Sequence, residues 1–600
     1  CKQTFWLKKM NEEPAGQVLQ FASDVRDYSS QYGNESSISY IVNNLAGPSN
    51  IYPNYGDFTQ ACVFRTYGPW WNICPSAKSP FKSMPSSFKS EDFVELYFAK
   101  KVFPTQVDVY ETFNPGGVVK ILACDDRTPG KVRWAVLWEG QEKYTEQAPR
   151  IFSKPVKADF PTNIIRLELN HQFLQYYTEL DAVSLIGYED FAGLPGLESS
   201  VDPTVPCVPN GLDSNGDDVV DNSSDDHISN GINDTAKALS HLHVQEGLSA
   251  ALDASDNGYF DLLPDEVIQE ILSYLDLHTI CNLSCTCRLL YKHCYDPFLY
   301  IEVDLQPYWY LTCDSTLRGL ESRCVNLQRL NMSWCSNHDE ISQPVISRFL
   351  KSCSTDLTCL RLASCSIVNN DVMKSIELCT NLVELDLQGN KSVDNVGYLK
   401  LTRLTKLRKL NLYRTIIDIY SIVAIIRSCP LLEDLNLGSC NCINNYDKVA
   451  GELANNCKEL RCLDMWRART LTDAGLFALA SSCHKLKELD LGWCSGLQSH
   501  SECFRYLVSN CPDLEKIYLT ANRTVSDEDL DAIAKGCPKL EQLDILGTRM
   551  VSQQMALKVL QCCTKLKFFD VSFCAGITFQ SVEQWTTKFP HVSIKKSYQQ

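Results

Sequence analysis

The sequence predicts a multidomain chain in which an antiparallel β-sandwich precedes a short helical segment and a C-terminal α/β repeat solenoid. Three observations predict this fold class. Apolar residues return in one pattern every 25 to 30 residues from about Cys324 to Ile594. Apolar and polar residues alternate between about 45 and 190, and an amphipathic helix pair lies between these two regions. Six hundred residues also exceed a single core, so two or three domains are expected.

The repeat has the form Cys-x-x-Leu-x-x-Leu-x-Leu, as at Cys379, Leu382, Leu385 and Leu387. Its last two leucines are two residues apart, the period of a strand, so both point inward. Each unit of strand and helix has too little apolar surface to fold alone, and stacking closes the core. The first leucines of ten copies stand at positions 327, 357, 382, 407, 432, 460, 486, 514, 540 and 566. The pattern resembles the cysteine-containing leucine-rich repeats of F-box proteins, which predicts a solenoid of about ten repeats with a C-terminal cap over residues 304–600.

Residues 257–303 contain a compact helical motif. Leu263-Pro264 opens a helix, and Asp265 and Glu266 suit its positive N-terminal end. The motif resembles a three-helix F-box, although a plain helical cap on the solenoid would bury the same apolar stripe. The resemblance implies docking on a Skp-type adaptor, which joins the chain to a cullin scaffold and a RING subunit. The adaptor-binding residues that it implies are Leu263, Pro264, Glu266, Ile271, Leu272 and Leu275.

Residues 45–190 read as short strands separated by Pro and Gly, which is typical of a sandwich. Stretches such as "VELYF" and "YTELDAVSLIG" resemble the core strands of discoidin-like domains, which have a galactose-binding-like jelly-roll fold. In the loop before them, Trp70 and Trp71 are predicted to contact a ligand, although one of two adjacent tryptophans often packs into the core. Residues 1–44 are interpreted as a polar N-terminal lead with one helix near Gln17–Arg26.

Residues 191–256 are rich in Gly, Pro, Ser, Asn and Asp. Their aspartates do not fit a calcium-binding loop, because Asp218 stands where that loop requires glycine and no closing glutamate follows. We therefore expect an acidic disordered linker here. The 29 cysteines mostly follow the repeat and are interpreted as packing residues in a reduced, intracellular chain, so we expect no metal and no cofactor. The net charge of −17 argues against a nucleic-acid partner.

On the strands of the repeats, residues alternating with the leucines face the concave surface. Interface anchors are enriched in Trp, Tyr and Arg, which selects a predicted substrate-binding set. This set is Tyr413, Arg414, Trp466, Arg467, Trp493 and Tyr518. The aspartates Asp386, Asp464, Asp490, Asp544 and Asp570 recur in one column and suggest a structural or solvated row.

The combination of a discoidin-like domain, an F-box and leucine-rich repeats resembles F-box receptors of the mitochondrial outer membrane. The resemblance implies a substrate-recognition subunit of a Skp-cullin-F-box ubiquitin ligase, without catalytic residues, that directs mitophagy receptors to degradation and so restrains mitophagy. The first residue is Cys rather than Met, so we expect the targeting segment to lie outside this sequence. We expect the chain to face the cytosol at that membrane, with the cytosol and nucleus as alternatives. A carbohydrate- or lipid-binding module and a non-degradative scaffold are the alternative functions.

Overall fold

A computed structural model describes residues 16–33, 39–66, 90–128, 131–141, 143, 145–172, 174, 176–190, 260, 262–335, 341–498 and 502–597. These residues form three parts, which we name the sandwich (residues 16–190), the F-box helices (residues 262–300) and the arc (residues 301–597). The multidomain fold class predicted from the sequence is confirmed. The predicted linker, 191–256, lies outside the described residues.

The sandwich contains antiparallel strands joined through one long strand. The strands are β1 (Gln17–Phe21), β2 (Asp24–Tyr28), β3 (Asp92–Phe113), β4 (Val118–Thr128), β5 (Lys131–Glu139), β6 (Arg150–Pro155), β7 (Thr162–Leu169) and β8 (Glu179–Tyr188). The first half of β3 pairs with β2 and β7, and its second half pairs with β6 and β8. The register shifts near Pro104, as expected where a strand bends from one sheet into the other.

The N-terminal helix expected near Gln17–Arg26 was wrong, because β1 and β2 occupy this stretch. All five residues of β1 are half-buried, which explains why the sequence there lacks clean alternation. β1 pairs with β8 from Gln17 opposite Tyr188 onward. The sandwich therefore begins before residue 45, where the sequence placed its boundary.

The F-box helices are α1 (Asp265–Ser273), α2 (Leu277–Ser284) and α3 (Arg288–Cys294). Pro264 stands at the N-terminal boundary of α1, and the Asp276 carboxylate caps α2 by accepting the Thr279 N–H at 2.8 Å. Buried side chains of all three helices belong to the same apolar core as the arc. Arg323 of the arc lies 3.7 Å from the Tyr295 ring centroid, so the helices and the arc pack as one body.

The arc is a parallel sheet lined by helices. Its strands are β9 (Glu302–Asp304), β10 (Arg329–Asn331), β11 (Cys359–Arg361), β12 (Glu384–Asp386), β13 (Lys409–Asn411), β14 (Asp434–Asn436), β15 (Cys462–Asp464), β16 (Glu488–Asp490), β17 (Lys516–Tyr518), β18 (Gln542–Asp544), β19 (Phe568–Asp570) and β20 (Ser593–Lys595). Its helices are α4 (Asp314–Glu321), α5 (Gln343–Ser352), α6 (Asn370–Ile376), α7 (Asn395–Tyr398), α8 (Ile419–Ser428), α9 (Tyr446–Asn456), α10 (Asp473–Ala480), α11 (Cys503–Asn510), α12 (Asp527–Gly536), α13 (Gln553–Cys562) and α14 (Phe579–Lys588). The strands pair in chain order, and β20 completes the sheet where the sequence predicted a cap.

The recurring Asp column has a structural role. Asp464 accepts the N–H of Trp466 at 2.9 Å, and Asp490 accepts that of Gly492 at the same distance. The carboxylate thus fixes the backbone where each strand turns into the following loop. The small residues beyond this turn also hydrogen-bond, as when the Cys494 thiol donates to the Met465 carbonyl at 3.2 Å. These bonds satisfy carbonyl groups that the turn would otherwise leave buried without a partner.

Candidate functional site

One face of helix α1 is exposed and carries most of the predicted adaptor-binding residues. Pro264 and Glu266 are exposed, Ile271 is 40% exposed, and Leu263 and Leu275 are half-buried. Pro264, Glu266 and Ile271 are therefore available to a partner, whereas Leu263 and Leu275 also pack against the apolar core. Leu272 differs, because it is 1% exposed and belongs to the apolar core. In this structure the Leu272 side chain packs into the apolar core and is not accessible to a partner.

The F-box helices also expose apolar residues that the sequence motif did not single out. Leu262 is 77% exposed and Tyr274 is 78% exposed, and Val267 of α1 and Tyr291 of α3 are also exposed. Large exposed side chains concentrated on a short helical unit are typical of a protein-interaction surface. A helical plot of α1 could have found Val267 and Tyr274, because both lie off the stripe that faces the core.

The six residues predicted to bind a substrate lie in one place, but the sandwich covers them. Tyr413, Trp466 and Tyr518 are each less than 5% exposed. Arg414 and Arg467 are also buried, and the half-buried Trp493 packs against the same cluster as Trp466. In this structure the set forms a contact within the chain, and its role in binding a substrate stays a prediction.

Arg65 of the sandwich is the centre of this contact. Its guanidinium group lies 2.7 Å from a carboxylate oxygen of Asp464 and 2.7 Å from one of Asp490. The same group lies 4.8 Å from the centroid of the Trp466 ring and 5.1 Å from that of Tyr413. A single buried cation therefore bridges two strands of the arc, held between two aromatic rings.

The charges around Arg65 are unbalanced. Burial alone would lower the pKa of Arg65, but Asp464 and Asp490 raise it well above its usual value. Burial and the neighbouring Asp464 raise the pKa of Asp490 to about 7, and the attraction of Arg65 opposes this rise. Two carboxylates sharing one cation therefore make this contact sensitive to pH near neutrality.

Aromatic residues extend the contact toward the end of the arc. Tyr32 of the sandwich lies 5.2 Å from Trp466, measured between ring centroids, and Tyr176 lies 6.1 Å from Phe568. The Tyr176 hydroxyl donates to Asp570, and the hydroxyl of Ser597, beyond β20, donates to Asp57 of the sandwich. The segment that follows β20 is thus part of the contact with the sandwich.

A second arginine joins the sandwich to the first repeats. Arg166 stacks 3.6 Å from the centroid of Phe93 and 3.9 Å from that of Trp309. It forms ion pairs at 3.1 Å with Glu95 and Glu168, and the Trp309 indole N–H donates to Glu168 at 2.7 Å. The sandwich is therefore fixed at both ends of the arc.

Trp70 and Trp71 lie outside the described residues, so their predicted ligand contact stays a prediction. Within the described ranges, His, Cys, Asp and Glu side chains do not form a group of three suited to a metal ion. In the same ranges, we find no helix with the length and hydrophobicity needed to cross a bilayer.

A helical unit with an exposed apolar face, continuous with a repeat arc, defines the class of F-box proteins with leucine-rich repeats. A family model described as F-box-like matches residues 260–306, and one described as Leucine Rich repeat matches residues 378–401. F-box/LRR-repeat protein 4 of Bos taurus is 45% identical to this chain over 592 residues, which are 97% of this chain and 92% of that protein. The chain belongs to the family of F-box/LRR-repeat protein 4.

Two solved structures show more distant similarity. The Rad7 and Elc1 complex of yeast aligns with a TM-score of 0.43 and 16% identity, covering 61% of this chain and 94% of that chain. Allantoicase from Saccharomyces cerevisiae aligns with a TM-score of 0.19 and 12% identity, covering 29% of this chain and 45% of that chain. Neither similarity bears on function.

Proposed function

We propose that the chain is the substrate-recognition subunit of a Skp-cullin-F-box ubiquitin ligase. The exposed apolar face of α1 carries the proposal, because it lies in the segment that matches the F-box-like model. Leu263, Pro264, Glu266, Ile271 and Leu275 would bind a Skp-type adaptor, which links the chain to a cullin scaffold and a RING subunit. Exposed apolar side chains surrounded by polar ones are typical of such docking surfaces.

The proposed role requires no catalytic residue in this chain. The ligase would act by holding a substrate lysine beside a ubiquitin-conjugating enzyme, which raises the effective concentration of the two reactants. The shared core of the F-box helices and the arc supports this role, because it gives the receptor a fixed shape. The two arginine contacts fix the sandwich to the same body.

We further propose that the substrates are mitophagy receptors and that the chain acts on the cytosolic side of the mitochondrial outer membrane. This part of the proposal is supported by the resemblance in domain order described above. Depleting the chain from cells should then increase the abundance of mitophagy receptors and the rate of mitophagy. Receptor abundance that does not change on depletion would contradict this choice of substrate.

Adaptor binding can be tested with the double variant Leu263→Ala and Pro264→Ala. Both residues lie where α1 begins, so the variant should lose the Skp-type adaptor and the cullin on co-purification. Leu378→Ala is the matched control, because Leu378 is an exposed apolar residue of the arc. Retention of the adaptor by the double variant would refute the docking surface. Adaptor binding without faster substrate turnover would instead indicate a non-degradative scaffold.

A further inference from the structure

The sandwich leaves one stretch of the concave surface partly open. Every residue of β16, β17, β18 and β19 is buried, whereas the outward-facing residues of β12, β13 and β14 are half-buried. A pocket of about 70 Å³ lies over these open strands. All its lining residues belong to β11, β12, β13 and β14. The pocket therefore lies between the two arginine contacts of the sandwich.

Two opposite charges in this pocket do not form a direct ion pair. Lys409 begins β13 and Asp434 begins β14, and the two residues are direct partners in the strand register. In the part of the chain that the structure describes, neither side chain forms an ion pair or a hydrogen bond. Burial raises the pKa of Asp434 to about 7, and Lys409 opposes this rise. The pocket thus offers a cation and a carboxylate that are neighbours in the register but do not form a direct ion pair.

Charged residues at equivalent positions of other strands are paired. Lys516 lies 2.9 Å from Glu488, and Arg329 lies 3.4 Å from Glu302. Glu384, the register partner of Lys409 on its other side, pairs with Arg361 instead. Pairing across neighbouring strands is therefore common on this surface. Lys409 and Asp434 are neighbours of the same kind but stay apart, which leaves both groups available to a ligand.

The size of the pocket indicates what it can bind. A volume of about 70 Å³ is well below the roughly 300 Å³ or more of a typical cofactor or small-molecule site. It can hold the ends of side chains from a segment that lies across the strands. Neighbouring strands are about 4.8 Å apart, and residues two positions apart in an extended segment are roughly 6.6 Å apart with their side chains on the same face, so two such side chains can reach adjacent strands.

We propose that this pocket binds an extended polypeptide segment of the ligase substrate, in which an acidic and a basic residue lie two positions apart. The acidic side chain pairs with Lys409 and the basic side chain pairs with Asp434. The identification of the segment as substrate rests on the proposed function. The charge requirement rests on the pocket itself.

The test uses the full chain and synthetic peptides with Gly, Ser and Ala as background. One group of peptides carries an acidic and a basic residue two positions apart, and the other groups carry two acidic, two basic or no charged residues. The mixed group should bind about fivefold or more tightly than the others, as expected for two partly buried charge pairs. Equal binding of all groups would overturn the proposal.

Charge reversal makes the test specific to the two residues. Lys409→Glu should transfer the preference to doubly basic peptides, and Asp434→Lys should transfer it to doubly acidic ones. The combined variant should again prefer mixed peptides, with the acidic and basic positions exchanged. Lys406→Glu is the control, because Lys406 is exposed and lies outside the pocket. If the variants do not change the preferred peptide charge in this way, the peptide binds outside this pocket and the proposal is wrong.

Co-purification of the adaptor separates this proposal from the proposed function. Variants at Lys409 and Asp434 should keep the adaptor, because α1 is not changed. Normal adaptor binding with no peptide preference would overturn the pocket proposal alone. If the unsubstituted chain does not bind the adaptor, the proposed function is wrong. The charge preference of the pocket is then still tested by peptide binding to the full chain.

Discussion

Among single residues, Arg65 has the largest predicted effect on how the domains are held together. Replacing it with alanine would leave Asp464 and Asp490 buried without their cation. Removing one partner of a buried ion pair typically costs about 3 to 5 kcal/mol. We expect Arg65→Ala to lower the thermal midpoint and to expose the sandwich to protease. Arg427→Ala is the control, because the Arg427 ion pair with Glu452 lies at the surface, and it should change neither measurement appreciably.

The pH dependence of the same contact has a definite sign. The folded pKa of Asp490, about 7, lies above its ordinary value near 3.8, so the folded state binds more protons between these limits. Stability should therefore decrease as pH rises from about 4 to 7 through this group. Asp490→Asn keeps an acceptor for Arg65 but cannot ionise, and it should flatten this part of the profile. Thermal midpoints of both proteins, measured at half-unit pH steps, would show this difference. If the midpoint of Asp490→Asn changes with pH as steeply as that of the unsubstituted chain, Asp490 is not the group responsible.

Among single residues, the role of the recurring aspartates could be predicted in part from the sequence. Their regular spacing indicated a structural or solvated row, and Asp464 and Asp490 do bind the backbone two residues later. The same pattern could not show that Arg65 binds both. Arg65 is about 400 residues away in the chain, and its local sequence carries no signal of that contact.

Among the secondary-structure elements, α1 has two faces with separate tasks. Ile271→Ser should abolish adaptor binding and leave the thermal midpoint nearly unchanged, because Ile271 is 40% exposed and lies outside the apolar core. Leu272→Ala should lower stability by about 2 to 5 kcal/mol, because it opens a cavity in the core. Its adaptor binding should persist below the lowered midpoint. If Ile271→Ser loses stability, or if Leu272→Ala loses only the adaptor, then Ile271 is not on the adaptor-binding face or Leu272 is not on the core face.

Elements with strong periodicity could be predicted from the sequence, and an edge strand could not. The leucine spacing located the strands of the arc because each leucine has the same buried environment in successive repeats. β1 was interpreted as a helix because an edge strand buries its two faces only partly, which removes the alternation. Its position is determined by pairing with β8, which lies more than 150 residues later in the chain.

On the scale of the whole molecule, the concave surface has an occupant from the same chain. Aromatic and arginine residues on that surface indicated an interface, and this physical argument applies equally to a partner protein and to another domain. The sequence contained no information to choose between them, because both would bury Trp466 and Tyr518 in the same way. In this structure Tyr32 and Tyr176 of the sandwich contact the concave surface, so its occupant is a domain of the same chain.

A variant of Tyr32, the partner of Trp466 in the sandwich, separates two roles of Trp466, which are docking of the sandwich and direct contact with the substrate. Tyr32 and Trp466 pack with ring centroids 5.2 Å apart, and such aromatic pairs typically contribute about 0.5 to 1.5 kcal/mol beyond their buried area. A double-mutant cycle with Tyr32→Ala and Trp466→Ala should therefore give a coupling energy of about 1 kcal/mol in unfolding. If Trp466 acts through docking of the sandwich, both single variants should slow substrate ubiquitination equally while the adaptor stays bound. If it contacts the substrate directly, only Trp466→Ala should slow it, and Tyr32→Ala should leave the rate unchanged.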